Sequence, residues 1–218
     1  MPDLVQIAKD CEAFGAQGIT VHPRPDERHI RFSDIPLLKA VTTTEFNIEG
    51  NPTEAFLKAV LEHRPHQCTL VPDAPSALTS DAGWDTVRHA SFLKEVCDRL
   101  REAGVRSSIF INADEKMVEG AKALGADRVE LYTGPFAAQF PQDPEAAVAP
   151  HRRCARIAAE IGIGLNAGHD LNLDNLRFYQ QHTEALLEVS IGHALVCDAL
   201  YYGLSNTIQM YLRQLSAA

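Results

Sequence analysis

The chain has 218 residues, of which 45% are hydrophobic and 22% charged, and its formal net charge is -9 at pH 7. This composition predicts one compact domain over residues 1–218, because no linker or shift of composition marks a second domain. The acidic balance argues against general nucleic-acid binding, which needs a basic face to neutralise phosphates. An anionic small substrate remains compatible with this charge if basic side chains gather locally.

The cysteines and the apolar runs predict the cellular compartment of the protein. The five cysteines are scattered and none forms a Cys-x-x-Cys pair, which argues against a disulfide framework or a zinc knuckle. No apolar run reaches membrane-spanning length, and no signal-peptide pattern opens the chain. We therefore expect a cytoplasmic protein that binds neither a membrane nor nucleic acid.

Helix-type spacing and short apolar runs alternate along the whole chain, with glycines after several helices and capping residues after several strands. The predicted strands cover residues 18–22, 45–49, 68–71, 105–111, 127–132, 162–166 and 186–191. The predicted helices cover residues 2–14, 33–38, 51–61, 86–103, 114–124, 144–161, 173–181 and 192–215. Long polar loops are predicted over residues 72–85 and 133–143.

This alternation is typical of an α/β fold with parallel strands covered by helices. Its closed form is the TIM (β/α)8 barrel, which needs eight strands. Seven strands are predicted and a helix comes first, so we expect a TIM barrel whose first strand is absent from this chain. In such a barrel the catalytic groups lie at the carboxyl ends of the strands.

The first predicted strand ends in His22, and the prolines that follow lead the backbone into a polar loop with Arg24 and His29. A strand that feeds a cationic loop suits catalytic groups and an anion clamp, although a solvated turn would show the same pattern. The second strand ends in Glu49, two residues after Asn47.

Strand alternation predicts which of these side chains share a face. Because side chains two residues apart lie on the same side of a strand, Thr20 with His22, and Asn47 with Glu49, are expected to point into the barrel. The neighbours of Glu49 would then face the helices. A carboxylate buried without partners is costly, so the position of Glu49 implies a polar cavity.

Three later segments add candidates for the same end of the barrel. Gly192 and His193 begin the last helix directly after a strand, where free N–H groups and the positive helix end favour a phosphate. An ordinary glycine turn is the alternative there. Thr79 lies in the long loop, which either closes over a substrate or is simply solvated. His169 and Asp170 follow the sixth strand.

Five segments resemble a known family, and two of them are long and specific. They are residues 19–30 (Ile-Thr-Val-His-Pro-Arg-Pro-Asp-Glu-Arg-His-Ile), 47–49 (Asn-Ile-Glu), 70–72 (Leu-Val-Pro), 166–172 (Asn-Ala-Gly-His-Asp-Leu-Asn) and 191–194 (Ile-Gly-His-Ala). In these segments, and over nearly the whole chain, the sequence resembles the pyridoxine 5'-phosphate synthase family. The resemblance implies a TIM barrel, usually an octamer, and no metal or organic cofactor.

The resemblance also implies a reaction and roles for residues. The family condenses 1-deoxy-D-xylulose 5-phosphate with 3-amino-2-oxopropyl phosphate to pyridoxine 5'-phosphate, phosphate and water. By motif, His22 and Glu49 are implied as general acid/base residues and His169 as the proton donor. Six residues are implied to hold the two phosphorylated substrates: Arg24, His29 and Thr79 for the first, and Asp170, Gly192 and His193 for the second.

One departure from the family concerns the predicted missing strand. Members of the family carry an N-terminal strand with an Asn-x-Asp-His-like motif and a following arginine, both of which contact substrate. This chain starts just after that region. Either the sequence is incomplete at its front, or the barrel lacks one strand, and in the second case we expect an open edge and impaired activity.

Two other functions are compatible with the same residues. His22, Glu49 and His169 are acceptable zinc or manganese ligands, which would make the chain a metal-dependent aldolase or isomerase. The chain could instead be a non-catalytic barrel that binds phosphorylated metabolites. Chelation would test the first alternative, and release of phosphate from both substrates would test the second.

Overall fold

The computed structural model describes residues 3–74, 77 and 79–216. Pro2, which the sequence places at the start of the first helix, lies outside the described residues, as do positions 75, 76 and 78 of the predicted long loop. The strands of the described part are β1 (Gly18–Val21), β2 (Glu45–Gly50), β3 (Gln67–Leu70), β4 (Arg106–Ile111), β5 (Arg128–Tyr132), β6 (Gly164–Gly168) and β7 (Leu186–Ser190).

Helices connect these strands along the chain. They are α1 (Leu4–Ala13), α2 (Ile35–Val41), α3 (Glu54–His63), α4 (Ala90–Glu102), α5 (Glu115–Ala123), α6 (Gly134–Gln139), α7 (Pro144–Ile161), α8 (Leu176–His182), α9 (His193–Tyr202) and α10 (Leu204–Leu215), with a short 3-10 turn at Phe32–Asp34. None of the helices in the described residues is both long and apolar enough to cross a membrane.

The strands form one parallel sheet in the order β1 to β7, so the predicted α/β barrel architecture is confirmed. Each strand pairs with its neighbour in sequence, and the sheet curls into a nearly closed barrel with β1 and β7 at its two ends. A cavity of about 1030 Å³ extends from the interior to these two strands, because residues of both β1 and β7 line it.

The two faces of the sheet differ in polarity, as the alternation in the sequence predicts. Side chains that point outward are apolar and pack with the helices in the main core, for example Phe46, Ile48, Ile109 and Leu131. Side chains that alternate with them are buried and polar: Asn47, Gln67, Thr69, Ser108, Glu130 and Asn166. The apolar core thus lies between sheet and helices, and the inside of the barrel is polar.

Several of the predicted boundaries differ from the structure, and three of the differences have a local reason. The predicted loop 133–143 contains α6, because Pro135 suits the first turn of a helix, where its missing N–H costs nothing. The predicted final helix is two helices, since Gly203 has φ +77° and ends α9. The predicted sixth strand begins later, at Gly164, because Gly162 has φ +68° and caps α7. The helix predicted from residue 86 begins at Ala90.

Candidate active site

The first two site residues contact each other because of the register of β1 and β2. Thr20 pairs with Asn47 and Val21 with Ile48, so the next step along the strands brings His22 beside Glu49. The His22 Nδ1 atom lies 3.3 Å from Oε1 of Glu49. A carboxylate next to an imidazole is an arrangement that can take up and return a proton.

Deeper in the barrel than this pair, neutral polar side chains form a hydrogen-bond network. The Asn47 amide donates to Thr69 Oγ1 at 3.1 Å and lies 3.4 Å from Thr20 Oγ1. These contacts confirm that Thr20 and Asn47 point into the barrel. Since Glu49 lies two residues beyond Asn47 on the same face, its carboxylate reaches the polar cavity that the sequence predicted.

His169 is held at the end of β6 by two side-chain partners. Its Nδ1 lies 2.6 Å from Oδ2 of Asp170, and its Nε2 lies 2.7 Å from Oγ1 of Thr79 in the long loop. The ring of Tyr132 meets the imidazole edge-on, with the ring centres 5.7 Å apart. The backbone of His169 has φ +94°, a conformation that L-residues rarely adopt and that is concentrated at functional sites.

One cavity brings most of the predicted site residues together. It is the cavity of about 1030 Å³ already described, and it is lined by Glu49, Thr79, His169, Asp170, Gly192 and His193 among others. His22 lies next to it through its contact with Glu49. The carboxyl ends of β2, β6 and β7 therefore supply a carboxylate, imidazoles and a helix N-terminus to one mouth of the barrel.

Arg24 and His29 occupy different places on the loop after β1. The Arg24 side chain is largely buried, and its Nη2 lies 3.0 Å from Oδ2 of Asp73 at the start of the long loop. A second, small cavity is lined by His22, Arg24 and Asp73, so Arg24 lies on the His22 side of the site. His29 is exposed, and it is not among the described residues that line either cavity.

The predicted phosphate position coincides with the start of a helix. α9 begins at His193, and Gly192 is its N-cap residue, as expected from the sequence. Among the described residues, the neighbours of Gly192 in the chain and in its own helix aside, no atom lies within 4 Å of the place where a Cβ of residue 192 would stand, so a ligand can approach this backbone closely. The His193 Nε2 lies 3.6 Å from Sγ of Cys197, one turn further along the helix.

Glu130 is a cavity residue that the sequence reasoning did not select. Its side chain is 3% exposed, and Oε2 has no hydrogen-bond partner among the described residues. Burial raises the pKa of Glu130 well above its usual value, and the nearby carboxylates of Glu49 and Glu188 raise it further. A raised pKa favours the neutral carboxylic acid, which can donate a hydrogen bond or a proton into the cavity.

The sequence around Glu130 in β5 contains a pattern that could have identified it as a residue of the barrel interior. Val129 and Leu131 are apolar and face the helices, so the residue between them had to face the barrel interior. The deeper interior also carries a charged pair, in which Arg128 Nη1 lies 2.9 Å from Oε2 of Glu188. An acidic and basic lining of this kind can bind small polar substrates.

The metal alternative finds no support in the geometry. Within the described part of the chain, no group of three or more His, Cys, Asp or Glu side chains is arranged to hold a metal ion. In particular, His22, Glu49 and His169 do not form such a group. His22 is instead paired with Glu49, and both ring nitrogens of His169 have other partners.

Comparisons with known proteins identify the family. The family model of the pyridoxal phosphate biosynthesis protein PdxJ matches residues 1–217. Pyridoxine 5'-phosphate synthase of Phocaeicola vulgatus is 58% identical over 210 residues, which are 96% of this chain and 88% of that protein. The synthase of Cytophaga hutchinsonii is 57% identical over 214 residues, 98% of this chain and 90% of that protein.

A solved structure supports the fold independently. The 4-hydroxy-2-oxoglutarate aldolase/2-deydro-3-deoxyphosphogluconate aldolase from TTHB1 matches with a TM-score of 0.66 at 19% identity, covering 99% of this chain and 90% of that one. At this level of identity the likeness concerns the fold alone. The family match and the near-complete coverage of the relatives show that the chain belongs to the pyridoxal phosphate biosynthesis protein PdxJ family and is an enzyme.

Proposed function

We propose that this protein is a pyridoxine 5'-phosphate synthase that condenses 1-deoxy-D-xylulose 5-phosphate with 3-amino-2-oxopropyl phosphate. The products are pyridoxine 5'-phosphate, inorganic phosphate and water. Relatives that are 57–58% identical over nearly the whole chain carry this name. The observation that supports the proposal most is that the His22–Glu49 pair and the His169–Asp170 pair lie at the same mouth of the barrel.

The chemistry of ring closure suits these groups. An amine must condense with a ketone, water and phosphate must leave, and a proton must be removed from carbon. Each of these steps transfers a proton, and positioned carboxylates and imidazoles accelerate such transfers by about 10²–10⁴-fold. We assign proton removal to the pair of His22 and Glu49, which is 3.3 Å apart and lines the site from the β1 and β2 side.

We assign proton donation to His169, on the opposite side of the cavity. Asp170 Oδ2 at 2.6 Å from Nδ1 orients the imidazole, as a carboxylate partner does in other acid/base sites. Thr79 Oγ1 at 2.7 Å from Nε2 occupies the side of the ring from which a proton would be delivered. A bound substrate oxygen would replace the Thr79 hydroxyl as the partner of Nε2.

Two anion positions match two phosphorylated substrates. Arg24 supplies a guanidinium close to His22, and guanidinium groups suit phosphate because they donate two parallel hydrogen bonds. Gly192 and His193 supply the N-terminus of α9 beside His169 and Asp170 in the large cavity. The two phosphates would then lie on the two sides of the acid/base groups, with the reacting carbons between them.

The exposed surface of α9 supports self-association, which we propose as part of this function. Val196, Leu200, Tyr201 and Tyr202 are large apolar or aromatic residues on α9 that are at least half exposed. An exposed apolar patch of this kind often marks a contact with another protein. Light scattering on the purified protein at several concentrations tests whether it is a homo-oligomer such as the octamer that we expect.

A direct assay tests the reaction. The purified chain is incubated with both substrates, with each substrate alone and with both plus a metal chelator. We expect stoichiometric pyridoxine 5'-phosphate and inorganic phosphate only when both substrates are present, at a rate that the chelator does not change. Release of phosphate without a pyridine product would contradict the proposed reaction, and a rate abolished by chelator would contradict its acid/base mechanism.

A further inference from the structure

Asp73, at the start of the long loop, forms a buried ion pair with an arginine from another loop. The Asp73 side chain is 7% exposed and that of Arg24 is 12% exposed, and Oδ2 of Asp73 lies 3.0 Å from Nη2 of Arg24. The same Oδ2 accepts a hydrogen bond of 2.7 Å from the hydroxyl of Ser80, which is itself buried. One carboxylate oxygen therefore connects the loop after β1 with the start and the middle of the long loop.

Further contacts fix the two partners of this ion pair in place. Asn51, which follows β2, donates its side-chain amide to the backbone oxygen of Asp73 at 2.9 Å. Arg24 donates through Nη1 to the backbone oxygen of Ala77 at 3.3 Å. The Arg24 backbone lies between Pro23 and Pro25, which restrict its conformation. The guanidinium is thus oriented on one edge and keeps other N–H donors for a ligand.

The Asp73 carboxylate also affects the His169 side of the site, because its partner Ser80 is next to Thr79 in the chain. Ser80 directly follows Thr79, whose hydroxyl lies 2.7 Å from Nε2 of His169. A shift of Ser80 would therefore move the Thr79 hydroxyl relative to the imidazole. Asp73 links the guanidinium that we place on a substrate phosphate with the part of the long loop that contacts the proposed proton donor.

We propose that Asp73 is a positioning residue, which orients Arg24 for the phosphate group of a substrate and anchors the middle of the long loop at Ser80. Asp73 acts through these partners and does not touch the substrate. The inference rests on the proposed function for the phosphorylated substrate, and it deepens that function by naming what orders its anion site. Ordering the guanidinium in advance lowers the entropy cost of binding, because less side-chain freedom is lost when the ligand arrives.

A double-mutant cycle with inorganic phosphate as the probe tests this role. Phosphate affinity is measured by calorimetry for the parent protein, Asp73→Asn, Arg24→Ala and the double variant. We expect Asp73→Asn to weaken phosphate binding about tenfold in the parent and less than about twofold when Arg24 is already alanine, since residues that act through one another are not additive. Equal losses in both backgrounds would overturn the proposal, as would a phosphate affinity that Arg24→Ala leaves unchanged.

Two further variants separate positioning from general damage to the fold. Asp73→Glu keeps the charge but moves it by one methylene, and we expect it to recover part of the affinity lost in Asp73→Asn. Asp98→Asn is the matched control, because Asp98 is a more exposed carboxylate on α4 that pairs with Lys94 and Arg101. It should bind phosphate like the parent. If Asp73→Asn unfolds, the same cycle is run with Asp73→Glu, and additivity there overturns the proposal.

Steady-state kinetics give a readout that a purely structural role would not produce. In Asp73→Asn the KM for the phosphorylated ketose should rise about tenfold, because the substrate phosphate is bound similarly in ground and transition states. Its kcat should fall by less than that of Thr79→Val, in which the contact with His169 is lost outright. A fall in kcat at unchanged KM would overturn the role assigned to Asp73. If the parent forms no pyridoxine 5'-phosphate at all, the proposed function fails, and the phosphate-binding cycle still decides the role of Asp73.

Discussion

Replacing the buried imidazole of His151 should change how the stability of this protein depends on pH. His151 lies on α7, 2% exposed, and its Nδ1 is 3.0 Å from the hydroxyl of Tyr179. The ring of Phe136 covers it edge-on at 5.8 Å between ring centres. Burial in these surroundings lowers the pKa of His151 to about 4, so the folded protein keeps this side chain neutral.

The size of the effect follows from the difference between folded and unfolded states. An unfolded chain protonates histidine with a pKa of about 6.5, whereas the folded protein does so only at a pKa of about 4. Between these values protonation favours the unfolded state, at about 1.4 kcal/mol for each pH unit. Stability should therefore fall by roughly 3 kcal/mol as the pH drops from 6.5 to 4, with no contribution from His151 above pH 7.

Urea unfolding at pH 7, 6, 5 and 4, followed by circular dichroism, measures this contribution. Between pH 7 and pH 4 the free energy of unfolding should fall less in His151→Gln than in the parent. The difference between the two decreases should be roughly 3 kcal/mol. Tyr179→Phe is the control, because it keeps the buried imidazole and removes only its hydroxyl partner. It should be less stable at every pH, by about 1–3 kcal/mol, and retain the pH dependence of the parent.

Parallel curves for the parent and His151→Gln would refute this reasoning. They would mean that the imidazole either reaches water before the protein unfolds or is protonated without cost inside it. A Tyr179→Phe curve that loses the acid-dependent slope would show that the hydroxyl, and not burial, controls the protonation of His151.

Three further predictions concern the barrel mouth. Glu49→Gln should lower turnover by at least about 10²-fold while the binding of phosphate esters changes little. Single-turnover kinetics measure the first effect and calorimetry the second, and unchanged turnover would remove Glu49 from the mechanism. Thr79→Val should lower kcat about fivefold or more by freeing His169, and a pH–rate profile identical to that of the parent would contradict this contact. Gly168→Ala should destabilise the fold by about 1–3 kcal/mol in urea unfolding, because a Cβ there would clash with Oε1 of Glu130. A midpoint equal to that of the parent would show that this carboxylate moves freely.

Local sequence patterns were sufficient for those features of the site that depend on strand geometry. Alternation along β2 placed Asn47 and Glu49 inside the barrel, and the parallel register then put His22 beside Glu49. The start of α9 at His193 followed from a glycine after an apolar strand. These predictions succeed because side-chain direction in a strand has a fixed period of two.

Features that depend on contacts between distant segments were not predicted. The ion pair of Arg24 with Asp73 joins two loops whose approach depends on the closure of the whole barrel. The raised pKa of Glu130 depends on burial and on carboxylates from other strands, which no local pattern contains. Gly203 was missed for another reason, since a single glycine inside a helical pattern is often tolerated, and only its φ of +77° shows that it divides the helix.

The separation of polar interior and apolar outer layer has a consequence for how this protein can change. The side chains that hold the sheet to the helices, such as Ile48 and Leu131, are on the opposite face of the same strands from those that line the cavity. Substitutions on one face can therefore retune substrate selectivity while the other face preserves the fold. Because this division holds along the seven described strands, inward-facing residues can change during evolution while the packing of the sheet against the helices is kept.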